Sequence, residues 1–143
     1  MPTTYQAVKT ISLPRGASLV GDFAEVVKLD TSGRVVLTAA ATDTPIGIVA
    51  ESATTPAAGV GKQTPEVGSP VSIVDLEGGG IAMVKAGAAI TAGQLVVLDS
   101  TGGRVAGVAN LAAATDDTWI LGVALEAAAD GEIFSFKIQL AVA

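Results

Sequence analysis

The chain has 143 residues and a formal charge of −6, with 50% hydrophobic but only 3% aromatic residues and neither Cys nor His. That length fits one domain with a core of Val, Ile, Leu and Ala. Missing Cys and His exclude disulfides, thiolate chemistry, Cys-based zinc sites and the usual neutral-pH general base. Eight basic residues, none clustered, leave no footprint for a phosphate backbone, so no nucleic-acid partner is expected. No membrane partner is expected either, because polar or Gly positions interrupt every apolar run short of the ~20 residues a span needs.

Met1–Leu13 alternates loosely and reads as an arm or an edge strand, ending at the turn signal Leu13-Pro14-Arg15-Gly16. Two stretches of similar text follow. Val26-Val27-Lys28-Leu29-Asp30-Thr31-Ser32-Gly33-Arg34-Val35 is answered by Val96-Val97-Leu98-Asp99-Ser100-Thr101-Gly102-Gly103-Arg104-Val105. Ile46–Glu51 is then answered by Leu121–Glu126, and Gly68–Ile73 by Gly131–Phe136, in the same order. Each first phrase is a strand running into an Asp-Ser/Thr-Gly hairpin turn, where Asp bonds its own backbone and Gly takes a positive φ. Gly47 and Gly122, at matched places in apolar strand text, predict a bulge or a close backbone approach.

Between the copies, Gly78-Gly79-Gly80 predicts a turn and Ile81–Val84 a strand, and Asn110–Ala114 is long enough for one helical turn. The first copy carries a loop 12 residues longer than the second, within Ser52–Pro65 and rich in Gly, Pro and Thr. Many short strands separated by Gly-bearing turns predict an all-β fold, a small β-barrel or sandwich-like domain with internal two-fold similarity. The division read from the text is an N-terminal arm, 1–15, and one β-rich domain, 16–143, with repeat-like halves at about 16–77 and 86–140.

Asp30 and Asp99 form a matched acid pair suited to general acid and base work, but the turns explain them more cheaply. Arg34 and Arg104 follow those turns and read as solvated tips or partner salt bridges rather than an anion clamp. Glu51 and Glu126 end matched strands; two carboxylates without an Asp/Asn-rich loop make a poor cation site. The Gly runs, and Gly61-Lys62, lack the Gly-Lys-Ser/Thr ending of a phosphate loop. Trp119 reads as core or interface before sugar stacking. No cofactor, metal or catalytic residue is assigned.

The ordered series Gly93–Asp99, Gly103-Arg104-Val105, Leu121–Ala127 and Ala129–Ile138 resembles the small capsid cement, or head decoration, proteins of tailed bacteriophages. The first copy follows through Gly21-Asp22, Leu29–Val35 and Ile46–Ser52, so the resemblance covers nearly everything from about Gly16 onward. It implies a non-enzymatic virion protein, usually a homotrimer, made in the host cytoplasm and seated on the outer surface of the capsid against the major capsid protein, where it locks the expanded shell. The family has no catalytic residues to carry over. Coat contacts are expected from the unmatched arm, at Tyr5, Gln6, Val8, Lys9 and Ile11, and from Lys62 in the long loop. The alternative is a β-rich carbohydrate-binding module using Trp119, Tyr5 and the loop at Thr54–Thr64.

Overall fold

The computed structural model describes residues 8–16, 23–50, 67–99 and 102–143. Among the described residues, ten strands fall into two five-stranded antiparallel sheets. The first holds β1 (Thr10–Pro14), β2 (Val26–Leu29), β3 (Val35–Leu37), β4 (Gly47–Val49) and β5 (Pro70–Asp75) in the order β1-β5-β4-β2-β3. The second holds β6 (Ile81–Lys85), β7 (Leu95–Leu98), β8 (Val105–Val108), β9 (Trp119–Ala124) and β10 (Ile133–Val142) in the order β6-β10-β9-β7-β8. Strand for strand, the second order repeats the first. The only helical pieces among the described residues are two single 3-10 turns, Leu76–Gly78 and Leu111–Ala113, the latter capped by the Asn110 side chain.

Each sheet is curled until its two edges meet. In the first, Arg15 bridges Val35 in parallel and the Gly16 N–H donates to the Val35 carbonyl at 2.8 Å. In the second, Ala86 bridges Val105 and the Gly87 N–H donates to the Val105 carbonyl at 2.7 Å. Tying edge to edge removes the open ladders that invite stray pairing. The hairpin turns match as well, with Gly33 at φ 77° and Gly103 at φ 72°, the left-handed region where a Cβ is penalised.

The phrases matched in the sequence occupy matched ladder positions. Gly47 pairs with Val27 and Gly122 with Val96, while Ile73 pairs with Val49 and Phe136 with Ala124. At Gly47 and Gly122 the predicted close approach is present: a Cβ would meet the Val74 carbonyl in one case and the Lys137 carbonyl in the other. Ladder irregularities flank Gly122 on both sides, between Val96 and Val97 and between Ile138 and Ala141. Of the two readings of the N-terminal stretch, the structure bears out the edge strand. Thr10–Pro14 is the edge strand β1, pairing with β5 from Thr10↔Val74 to Pro14↔Pro70, and β6 holds the same place against β10. The two strands share a position and almost no residue identity, so a comparison of phrases passes over them.

Alternation along the pleat divides the side chains. Val27, Val35, Val49, Val71 and Ile73 form one buried cluster on the inner face of the first sheet, with Ile11, Leu13, Leu37 and Ile46 half-buried around it. The opposite face of the same strands contributes Val26, Ile48 and Val74 to a larger cluster, shared with Phe134, Phe136 and the inner face of the second sheet. The sheets are also joined by backbone: Val26 N–H donates to the Gly103 carbonyl at 2.6 Å and Lys85 N–H to the Ala24 carbonyl at 2.8 Å. A Lys85–Glu25 ion pair at 3.3 Å, largely buried, adds to this seam.

Candidate interaction surface

The inner faces of the two sheets are filled unequally. Where the second sheet has Phe134 and Phe136, the first has Val71 and Ile73 at the same ladder positions. At one end the difference grows. Leu98, Leu121 and Ile138 of the second sheet are 2%, 0% and 4% exposed, but their counterparts in the first are Leu29, at 44%, half-buried Ile46, and Asp75. A carboxylate stands where the second sheet places an isoleucine.

The result is a groove of about 370 Å³ opening at that end of the first sheet. Ile11 and Leu13 of β1 form one wall, Leu29, Pro45 and Ile46 another, and Leu76, Trp119 and Leu140 close it from the turn after β5 and from the second sheet. Its charged lining, among the described residues, is acidic: Asp75 and Glu77. Asp75 is held in place, since its Oδ1 accepts from the Glu77 N–H at 3.0 Å and its own N–H donates to the Lys9 carbonyl at 2.8 Å. A second cleft of about 440 Å³ lies over β6 and β10, between Phe23, Met83, Ile133 and the 126–132 turn.

Several of the residues weighed for chemistry have structural partners. Asp30 Oδ1 accepts from the Ser32 and Arg34 N–H groups at 2.8 and 2.9 Å, which is the turn-forming role. Asp99 closes the other hairpin through its N–H to the Arg104 carbonyl at 3.0 Å. Arg104 lies 3.6 Å from Asp130, and Glu126 Oε2 accepts from the Ser135 N–H at 3.0 Å. Asp43 bonds Lys28 Nζ at 2.9 Å and the Ala39 and Ala40 N–H groups at 2.7 and 2.9 Å. Burial pushes the Asp43 carboxyl up, but these hydrogen bonds outweigh it and hold the group below the ordinary value of 3.8. No group of three or more His, Cys, Asp or Glu among the described residues is arranged to hold a metal. No helix there is long and apolar enough to cross a membrane.

An aliphatic groove with an acidic rim, set on a scaffold whose polar residues serve the turns, is suited to protein contact. The chain matches the family described as XM1 gp53 minor capsid protein over residues 6–137. It belongs to that family. The family is one of phage minor capsid proteins, so the chain is a structural protein of the bacteriophage capsid and its place is the virion. No curated protein matches it.

Within this minor capsid family member, the expected contact residues are only partly gathered. Ile11 is on the groove wall, Lys9 is exposed beside it, and Val8 is half-buried against the larger cluster. Tyr5, Gln6 and Lys62, like Glu51 and the Thr54–Thr64 loop, lie outside the described residues. Trp119 is half-buried, packs on the larger cluster and faces aliphatic neighbours in the groove. Reading the sequence missed Leu29, Ile46, Leu76 and Leu140. The available signal was the exchange of Ile138 for Asp75, visible only once the two ladders are aligned.

Proposed function

We propose that this capsid protein is a decoration, or cement, protein that binds the outer surface of the phage head and stabilises the expanded shell against the major capsid protein. One observation carries the reading: the match over residues 6–137 to a family of phage minor capsid proteins, on a scaffold where Asp30, Lys28, Asp43, Glu25 and Lys85 serve turns and seams. The N-terminal segment and the start of β1, with Tyr5, Gln6, Val8, Lys9 and Ile11, supply the coat contact by adding backbone to a coat-protein sheet edge, and Lys62 adds a second contact. Several such contacts, repeated over a homotrimer, combine through effective concentration into firm attachment. The net charge of −6 suits a surface facing solvent rather than packaged DNA.

The shared strand order, closing bridges and turn glycines support reading the two halves as copies of one unit. On that reading the function resides where the halves diverge. The test is to mix purified protein with expanded heads of its own phage that lack it. Saturable binding with a raised disruption temperature supports decoration, and no binding refutes it.

A further inference from the structure

Among the described residues, the contact between the two sheets has a counterpart of each of its sides that is more exposed than the side itself. Val26, Ile48 and Val74 form a row across the outer face of the first sheet, each 0% exposed, in one buried cluster with Leu98, Leu121 and Ile138 of the second. Ladder register assigns the counterparts. Gly47 and Gly122 hold matched places, so Val26, Ile48 and Val74 correspond to Leu95, Val123 and Lys137. Leu95 and Val123 are half-buried and Lys137 is exposed. Half-buried Ile81 and Val108 extend that row across all five strands, so four aliphatic side chains surround one lysine on an open face. The counterparts of the receiving residues Leu98, Leu121 and Ile138 are Leu29, Ile46 and Asp75, which line the open groove.

We propose that the outer row of the second sheet docks into the groove of a second copy of this chain, head to tail. Charge selects this occupant: Lys137 is the lone cation of the row, and the groove it would enter is rimmed by Asp75 and Glu77. Within one chain the corresponding positions are Val74 and Ile138, both members of the larger apolar cluster; between copies they become a lysine and an aspartate. One feature of the in-chain contact does not transfer. Lys85 donates its N–H to Ala24, whereas Pro14, at the matching place, has none to give. The contact between copies therefore rests on the aliphatic row and the ion pair, and is weaker than the seam inside the chain. Such a heterologous contact closes into a ring or extends into a filament. A ring of three would supply the homotrimer of the proposed function.

Sedimentation of the full-length chain without capsids tests this, so failure here leaves head binding untouched. The expected result is concentration-dependent assembly, weakened at least about tenfold by Lys137→Glu or by Glu77→Lys and recovered when the two are combined. Circular dichroism confirms that each variant is folded. A chain that stays monomeric, or an oligomer indifferent to both charges, overturns the proposal. Because the chain has no cysteine, Leu29→Cys combined with Leu95→Cys gives a second readout. A disulfide between copies is expected on oxidation, and its absence in a protein that does assemble overturns the proposed surfaces.

Discussion

Gly122 lies so close to Lys137 on the neighbouring strand that a Cβ at that position would overlap the Lys137 carbonyl. The constraint is steric and comes from backbone, which has no side-chain rotation to relieve it. Gly122→Ala is therefore expected to lower stability by about 3 kcal/mol through overpacking in a central strand. Gly33→Ala, in an open turn with nothing within 4 Å of its Cβ, is expected to lose only about 1 kcal/mol through its φ of 77°. Urea unfolding of the two variants measures the difference, and equal losses would contradict it.

Phe136 is fully buried in the larger cluster, while Ile73 holds the matching ladder place in the smaller one. Phe136→Ala is expected to lose about 3–5 kcal/mol, the usual consequence of an aromatic-sized cavity. Thermal denaturation would show a large fall in Tm. A shift of only a few degrees would mean that the second sheet collapses around the cavity.

Much of this arrangement is legible in the residues, and the remainder is not for identifiable reasons. Asp30 to Gly33 and Asp99 to Gly103 announce their turns because the residue types are what the backbone needs there. Gly47 and Gly122 announce close packing for the same reason. The bridge from Arg15 to Val35 has no such signature, since it joins backbone groups distant in sequence. The correspondence of β1 to β6 is hidden because Thr10–Pro14 and Ile81–Lys85 keep only a ladder position in common. The groove is hidden more deeply. Nothing in the text sets Leu29 apart from Leu98, and only the register shows Asp75 where the second sheet has Ile138.

The Asp43 carboxyl is held below its ordinary value, so its charged form is favoured by folding. A depressed pKa stabilises above the unfolded value and loses that contribution as pH falls through the folded one. Asp43→Asn is expected to weaken the protein by about 1 kcal/mol at pH 7, through loss of charge-assisted bonds to Lys28 and two backbone N–H groups. At pH 2 the variant and the parent should unfold together. A loss that persists unchanged at pH 2 would show that the ionised form is not what matters.

Truncation separates the scaffold from the proposed coat contact. Removing 1–7 leaves β1 intact and is expected to preserve the unfolding transition. Removing 1–12 cuts away most of the β1 ladder and the Ile11 side chain, which packs on the smaller cluster. That longer deletion is expected to unfold the first sheet, seen as lost amide protection in 23–50 and 67–75 by hydrogen exchange. A 1–12 deletion with native protection throughout would make β1 dispensable.

The decoration role is tested most directly by titrating the 1–7 deletion and the intact chain onto expanded heads that lack the protein. Intact chain is expected to bind saturably and raise the head disruption temperature, while the folded deletion binds at least about tenfold more weakly. Failure of the intact chain to bind contradicts decoration itself. Equal binding by both forms contradicts a coat contact through Tyr5 and Gln6.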